Sequence, residues 1–341
     1  MHFISIIIPC RNEENTIKET LDSILGNNYP IEYHEIIIVD GQSIDRTREI
    51  VNKYITQYNN IKLIDNPSRT VPVGFNLGLD IAKGDIVIRV DGHSYINRDY
   101  IVKCIEILDK TGADCVGGPI LNKAKGKIGN LINIAQSSTF GIGNASFRKK
   151  IKRGKFVDTL AFGAYKSNVF KMIGGYDEDL VRNQDDEFNF RLIQNDGKIW
   201  LDPQIKSTYY PRTSLKKLFK QYFQYGFYKV RVIQKRQGFS SWRHLIPGTF
   251  VFSILSSLIL LPISLKPFCL VTFLYLLVNV IATINLRSEV NQKRLSSLLL
   301  PLIFFILHFS YGLGFLTGLI IFINKWFDKE LKDKHFKKGQ L

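Results

Sequence analysis

Two side chains that suit a metal ion follow one apolar stretch of the sequence. Residues 84–90 are rich in β-branched residues, which is typical of a strand covered on both faces. Asp91 and His93 come directly after it, at the end where parallel sheets bind their ligands. Side chains two positions apart on an extended chain lie on the same side, and carboxylate plus imidazole suits Mn²⁺ or Mg²⁺. The alternative is a strand end with a solvated Asp in a turn.

Two further strands end in polar residues. Residues 3–8 form a short apolar run stopped by Pro9, and the loop 9–13, with Arg11 and Glu13, is where a nucleotide would be held. The strand predicted at 35–39 ends in Asp40, which we interpret as a ligand-facing carboxylate. The alternative is that Asp40 only orders its turn.

A third loop carries a cation and an amide. Arg69 lies in the loop 66–72 and Asn76 near the start of a helix predicted at 74–82. Both are placed to meet a phosphate or a base. Either side chain could instead satisfy backbone carbonyl groups.

Carboxylates cluster between residues 177 and 187. Phe188 and Leu192 have the spacing of the buried side of a helix that begins near Asp185, with Asp186 elsewhere on its surface. The helix dipole holds the pKa of a carboxylate at this end low, and partial burial returns it toward the value that a general base needs.

The α/β pattern breaks between residues 122 and 157. Its glycines and the basic run 148–153, which includes Arg148, predict a loop that could close over a diphosphate. A solvated or headgroup-facing loop is the alternative. Arg182 and Arg191 are further candidates for the lid or the acceptor side.

Strands and helices alternate four times before this break. Further strand and helix patterns follow it, beginning with a strand predicted at 158–164. This alternation predicts a doubly wound α/β domain over residues 1–212. No internal repeat of fixed period is evident in the sequence.

Apolar residues are concentrated after residue 245. Segments 245–265, 267–286 and 298–323 are each long enough to cross a hydrocarbon core, which needs about 20 residues. Residues 213–240 alternate apolar and basic positions, which indicates an amphipathic interfacial helix on anionic lipid, or else a plain surface helix. A basic tail covers residues 324–341.

The formal net charge of +16 is compatible with nucleic acid or with membrane lipid. No nucleic-acid-binding motif occurs in the sequence, and much of the charge lies close to the apolar segments, so anionic lipid is the expected partner. The four cysteines are scattered, and the first residues lack the pattern of a secretory signal. We therefore expect a membrane protein whose first domain is cytoplasmic.

The sequence resembles the family 2 glycosyltransferases, and among them the exopolysaccharide glucosyltransferases of the succinoglycan type. The resemblance extends from residue 5 to about residue 229. It rests on IIPCRNE at 7–13, VDGQSIDRT at 39–47, RVDGH at 89–93, FGAY at 162–165, GGYDE at 174–178 and RNQDDE at 182–187.

The resemblance implies a GT-A fold, which is Rossmann-like, and an inverting transferase that needs a divalent cation. It implies that Asp40 contacts the base or ribose of the donor, that Asp91 and His93 form the metal motif, and that Asp185 is the catalytic base. Two departures occur: most relatives carry Asp at His93 and Glu at Gln184. The second leaves Asp186 open as the base. The donor-binding candidates are Pro9, Arg11, Glu13, Asp40, Arg69, Asn76 and Asp91.

The expected reaction transfers a sugar from a nucleoside diphosphate to a polyprenyl-diphosphate-linked saccharide, in exopolysaccharide or cell-surface glycan synthesis at the plasma membrane. One alternative is a polyprenyl-phosphate sugar synthase, which uses the lipid phosphate itself as nucleophile. Another is an inactive membrane scaffold that binds nucleotide sugar.

Overall fold

The computed structural model describes residues 1–122, 126–143, 151–209, 214–236, 242–286 and 298–327. The chain divides into two compact units. The first comprises Met1–Lys123 and Ala145–Tyr210, and the second comprises Ala124–Asn144 and Pro211–Leu341. The second unit therefore takes a segment from within the predicted first domain.

The strands all belong to the first unit. In chain order they are β1 (Ile4–Cys10), β2 (His34–Asp40), β3 (Ile61–Asp65), β4 (Ile86–Arg89), β5 (Ser94–Ile96), β6 (Cys115–Gly117), β7 (Ile120–Asn122), β8 (Lys155–Phe156), β9 (Ala164–Lys166), β10 (Ile199–Leu201) and β11 (Ser207–Tyr209).

The helices are divided between the units. The first unit holds α1 (Ile17–Leu25), α2 (Thr47–Ile55), α3 (Val71–Asp80), α4 (Tyr100–Thr111), α7 (Ser167–Ile173) and α8 (Gln184–Gln194). The second holds α5 (Gly126–Ser137), α6 (Thr139–Ile142), α9 (Leu215–Arg236), α10 (Ile246–Ile259), α11 (Lys266–Asn285) and α12 (Leu300–Ile321).

An eight-stranded sheet in the order β3-β2-β1-β4-β9-β6-β10-β8 forms the centre of the first unit. β1 pairs in parallel with β2 and β4, whereas β9 runs antiparallel between β4 and β6. Every residue of β1 and β2 is buried, as their continuous apolar sequences predict. Apolar clusters cover the sheet, one including residues of α1, α2 and α4, the other residues of α3, α7 and α8. The prediction of a doubly wound α/β domain is confirmed, with a mixed sheet.

One predicted strand is wrong. We expected residues 158–164 to be extended, but β9 begins only at Ala164. Phe162 has a left-handed backbone with φ of 57°, which interrupts an extended chain.

The predicted loop at 122–157 is also wrong in part, because residues 126–143 form α5 and α6. Leu131, Ile132 and Ala135 are buried in α5, and they belong to one apolar cluster with Leu218 of α9 and Phe304 of α12. Apolar residues at helical spacing outweigh the glycines that suggested a loop. Arg148 lies outside the described residues.

α9 confirms the helix that we predicted within 213–240, but not the position of all its basic residues. Lys216, Lys217 and Lys220 are exposed, as expected. Lys229 and Arg231 are buried, with 6% and 3% of their surface exposed. Their position against other protein elements, rather than toward lipid headgroups, corrects the prediction for the second half of α9.

Among the described residues of the apolar region, two helices are long enough to cross a membrane, not the predicted three. α11 and α12 have 20 and 22 residues and are apolar enough to cross a membrane. α10 has only 14 residues, which at 1.5 Å per residue span about 21 Å. The turn 260–265 ends α10 early, and this shortens the predicted first segment.

Glycines let the helices of the second unit approach closely. A Cβ added at Gly314 would overlap the carbonyl oxygen of Phe223 in α9, and one at Gly312 would overlap the carbonyl oxygen of Pro247 in α10. Such small residues are typical of helix contacts within membranes, where packing rather than water exclusion drives association.

We expect Gly314→Leu to separate α9 from α12 and to lower the midpoint of thermal unfolding in detergent, because backbone must move to admit the side chain. Ile320→Ala on the same helix is the control, since Ile320 is 71% exposed. Equal midpoints for the two variants would contradict this packing.

Candidate active site

Three loops meet at the carboxyl edge of the sheet. They follow β1, β2 and β3, which are parallel neighbours. Each loop contains one non-glycine residue with a left-handed backbone: Asn12 and Gln42 with φ of 56°, and Arg69 with φ of 60°. Residues in this region are uncommon and cluster at binding sites, where the surrounding structure holds them in place.

Arg11 and Arg69 come together at this edge. A Cβ added at Gly41 would lie 3.3 Å from Cβ of Arg11 and 3.4 Å from Cα of Arg69. Both arginines are exposed, and Nε of Arg69 donates to Oε1 of Gln42 at 2.6 Å. Both arginines are predicted donor-binding residues, and that role stays a prediction.

Asp40 is buried at the end of β2. Its side chain is fully buried, and Oδ2 accepts from the amide of Ser43 at 3.0 Å and from Nη1 of Arg48 at 2.9 Å. These contacts order the turn after β2, and Arg48, which is 39% exposed, is the charged group bound to Asp40. The donor role of Asp40 stays a prediction.

Pro9 and Asn76 both make contacts within the folded first unit. Pro9 is buried inside β1, opposite Val39 of β2. Nδ2 of Asn76 donates to the carbonyl oxygen of Tyr176 at 2.9 Å, and its Oδ1 accepts from the amide of Tyr176 at 2.8 Å. These bonds join Asn76 to the segment after α7, and its donor contact stays a prediction.

Arg89 and Asp91 form an ion pair beside these loops. Nη2 of Arg89 lies 2.8 Å from Oδ1 of Asp91, and the two side chains are 9% and 20% exposed. Burial opposes ionisation of Asp91, but the charge of Arg89, aided by that of Arg182, outweighs it and holds the pKa of Asp91 below its usual value. The side chain of Asp91 is therefore ionised at neutral pH.

His93 is held from two sides. Its Nδ1 lies 2.8 Å from Oε1 of Glu13, and its ring lies 5.1 Å from the ring of Tyr209, between centroids. Glu13, which we predicted to bind the donor, instead contacts His93, and its Oε2 accepts from Oγ1 of Thr16 at 3.0 Å.

Asp185 lies in the first turn of α8 and is half-buried. Burial raises the pKa of Asp185, and the charges of Asp186 and Asp91 raise it further, while Arg89 opposes the shift. A hydrogen bond also fixes the side chain of Asp185, because the backbone amide of Asp186 donates to Oδ1 of Asp185 at 3.0 Å. A carboxylate with a raised pKa is suited to accept a proton.

The arginines proposed for the lid differ in position. Arg182 is close enough to Asp91 to lower its pKa, so it belongs to this group. Arg191 does not: Nη2 bonds Oε2 of Glu187 at 2.8 Å and the carbonyl oxygen of Gly175 at 2.9 Å. Arg191 joins α8 to the segment after α7, and its lid or acceptor role stays a prediction.

Arg89 and Tyr176 are the site residues that sequence reasoning missed. The guanidinium carbon of Arg89 lies 5.6 Å from the ring centroid of Tyr176, and burial raises the pKa of Tyr176 to about 12. The signal was present for Arg89, since a cation within a buried apolar strand needs a carboxylate partner. No comparable feature of the sequence pointed to Arg48, the partner of Asp40.

Asp91 and His93 fit a cation with few protein ligands. Among the described residues, no three His, Cys, Asp or Glu side chains lie close enough together to hold a metal ion. Nδ1 of His93 nevertheless contacts the carboxylate of Glu13, which leaves Nε2 for a metal ion. This arrangement is typical of histidine ligands. A cation that takes its remaining ligands from a bound phosphate suits such a pair.

Comparison with known proteins agrees with this architecture. Residues 5–171 match the profile of Glycosyl transferase family 2. The chain is 34% identical over 328 residues to the dolichyl N-acetyl-alpha-D-glucosaminyl phosphate 3-beta-D-2,3-diacetamido-2,3-dideoxy-beta-D-glucuronosyltransferase of Methanococcus voltae, covering 94% of this chain and 98% of that protein. It is 30% identical over 244 residues to the succinoglycan biosynthesis protein ExoA of Rhizobium meliloti (strain 1021), covering 71% of this chain and 73% of that protein.

A solved structure shares the fold. The mannosyltransferase PcManGT from Pyrobaculum calidifontis, solved in complex with GDP-Man and Mn²⁺, superposes with a TM-score of 0.58 at 16% sequence identity, covering 93% of this chain and 87% of that one. Together with the mixed sheet and the matched profile, this confirms the predicted GT-A fold. The chain belongs to glycosyl transferase family 2 and is a glycosyltransferase.

Proposed function

We propose that this protein is a membrane-anchored, inverting glycosyltransferase that moves a sugar from a nucleoside diphosphate to a lipid-linked saccharide. The observation that carries the proposal is the group at the carboxyl edge of the sheet. There Asp91, whose pKa is lowered, and Asp185, whose pKa is raised, both interact with one buried cation, Arg89.

The donor would bind at the loops after β1, β2 and β3. Arg11 and Arg69 supply two exposed guanidinium groups there, and guanidinium matches the geometry of phosphate oxygens. The loops are fixed by left-handed residues, so a nucleotide would meet a preformed edge.

Asp91 and His93 would hold Mn²⁺ or Mg²⁺. When bound, the cation neutralises negative charge that develops on the leaving diphosphate. The complex of PcManGT with GDP-Man and Mn²⁺ supports this role by likeness of fold.

Asp185 would take the proton from the acceptor hydroxyl. The hydroxyl oxygen forms the new bond to the anomeric carbon on the face opposite the diphosphate, which leaves with the electrons of the broken bond. The configuration inverts, and the proton remains on Asp185 until it passes to solvent. Its raised pKa makes the carboxylate a better proton acceptor than an ordinary Asp.

The acceptor would be a saccharide linked through phosphate to a polyprenyl lipid, in the synthesis of exopolysaccharide or another cell-surface glycan. Two relatives support this: one is named for transfer to a dolichyl-linked sugar phosphate, the other for succinoglycan biosynthesis. α11 and α12 would anchor the protein in the plasma membrane, with the transferase unit cytoplasmic.

Anionic lipid is the proposed partner of the second unit. Its described residues, 126–143, 214–236, 242–286 and 298–327, include no Asp or Glu but many Lys and Arg. Exposed Lys216, Lys217 and Lys220 near the start of α9 would meet headgroups, each worth about 1 kcal/mol near an anionic surface.

The test is release of nucleotide from UDP-, GDP- and dTDP-sugars by membranes that contain the protein, with Mn²⁺ or Mg²⁺ and polyprenyl-linked acceptors. Turnover of one donor with attachment to the acceptor saccharide supports the proposal. A product in which the sugar is joined directly to a lipid monophosphate, and is released by mild acid, would identify a polyprenyl-phosphate sugar synthase instead.

The pH profile gives a separate prediction. Asp185 acts only when ionised, and its pKa is raised above 3.8 by burial and by Asp186. We therefore expect the acid limb of kcat/KM to lie above pH 3.8, and to move to lower pH in Asp186→Asn, where one neighbouring charge is absent. Nucleotide release measured across a pH series checks both. An unmoved limb in Asp186→Asn would contradict the coupling.

A further inference from the structure

The contact between Glu13 and His93 bears on which ring nitrogen of His93 carries the hydrogen. Oε1 of Glu13 lies 2.8 Å from Nδ1 of His93, and both side chains are 19% exposed. An ionised carboxylate accepts hydrogen bonds but donates none. A hydrogen bond from His93 to a carboxylate in that form needs the hydrogen on Nδ1, and Nε2 of a neutral imidazole then carries the lone pair.

Glu13 is itself fixed in this geometry. Oγ1 of Thr16 donates to Oε2 of Glu13 at 3.0 Å, and the same hydroxyl lies 3.0 Å from the carbonyl oxygen of Gly92. Thr20 donates to that carbonyl oxygen at 3.1 Å. The start of α1 is thus joined to the backbone next to His93, so the carboxylate and the imidazole keep one relative position.

Close backbone approach at Gly92 makes this contact possible. A Cβ added at Gly92 would lie 2.9 Å from Cβ of Cys10 and 3.1 Å from Cγ of Glu13. On the other side, the ring of Tyr209 lies 5.1 Å from that of His93. The imidazole is therefore confined by Glu13 and by an aromatic ring.

We propose that Glu13 is a positioning residue that holds His93 as the Nδ1–H tautomer, so that Nε2 accepts a divalent cation beside Asp91. This inference rests on the proposed function, because it takes the cation from there. It gives Glu13 a role through His93 rather than through the donor.

The tautomer is measured first, without metal. Full-length protein in detergent is labelled with ¹⁵N-histidine, and His93→Ala identifies the signals of His93 among those of the six histidines. We expect a protonated Nδ1 and an unprotonated Nε2. A hydrogen on Nε2 in the native protein would overturn the proposal.

Cation binding is measured second, from the electron paramagnetic resonance signal of free Mn²⁺, with UDP, GDP or dTDP present to supply phosphate ligands. Glu13→Ala should bind Mn²⁺ about 10–100-fold more weakly than the native protein, which is the usual effect of losing the partner of a histidine ligand. Glu13→Gln should lose less, since its amide oxygen still accepts from Nδ1. Glu14→Ala is the matched control, because Glu14 bonds the amide of Arg46 and not His93.

Native affinity in Glu13→Ala would assign Glu13 a purely structural role and overturn the proposal. If Glu13→Ala does not fold, the native tautomer and the Gln variant decide. If the native protein binds no Mn²⁺ with any of the three nucleotides, the inference fails, whereas nucleotide release from donor sugars still decides the proposed function separately.

Discussion

Replacing Asp185 by Asn is expected to lower kcat by about 10²–10⁴-fold, the usual contribution of a general base. The amide keeps the size of the side chain, and its oxygen still accepts from the amide of Asp186, so α8 should remain intact. Donor binding should change little, since the proton moves only in the transition state. The measurement is single-turnover sugar transfer with saturating donor.

Asp186→Asn is the matched control for this prediction. Asp186 occupies the next position of α8, and its charge raises the pKa of Asp185. Its loss should reduce the rate far less than the loss of Asp185. A larger loss in Asp186→Asn would transfer the role of base to Asp186.

Arg89→Met is expected to lower the free energy of unfolding by about 3–5 kcal/mol, because it leaves a buried carboxylate without its cation. Nη2 of Arg89 lies 2.8 Å from Oδ1 of Asp91, and both side chains are largely buried. The packing of the guanidinium over Tyr176 is lost as well. Urea unfolding, followed by the fluorescence of the first unit, gives the change.

The double variant Arg89→Met/Asp91→Asn separates charge from packing. Removing both charges should recover part of the stability, since no buried charge then lacks a partner. Arg98→Met is the control, as Arg98 is exposed and has no left-handed backbone, and such changes usually alter stability by less than about 0.5 kcal/mol. A double variant no more stable than Arg89→Met would contradict the ion-pair argument.

The parallel half of the sheet was predictable because its strands are buried on both faces. Their continuous apolar runs are typical of strands buried on both faces. The polar residues that follow these runs mark the carboxyl edge of the sheet. Short elements were not predictable in the same way. β9 has three residues and begins after a left-handed Phe162, which no periodic pattern reveals.

The residue types predicted the edge of the sheet at which polar side chains gather, but not the partners of their individual atoms. Asp40, Asn76 and Arg191 have the chemistry of binding residues, yet each uses its polar atoms to join loops to helices or strands. Those contacts connect residues up to 100 positions apart, so sequence spacing does not encode them. Arg89 shows the reverse case, in which a strand residue proved central to the site.

The left-handed residues Asn12, Gln42 and Arg69 have a consequence for evolution. In this region most side chains are strained, whereas glycine and asparagine are tolerated. Substitution at Gln42 and Arg69 is therefore limited by backbone shape as well as by ligand chemistry. A change of donor preference would arise more readily at neighbours with ordinary backbone, such as Arg11, while the three loops keep their paths.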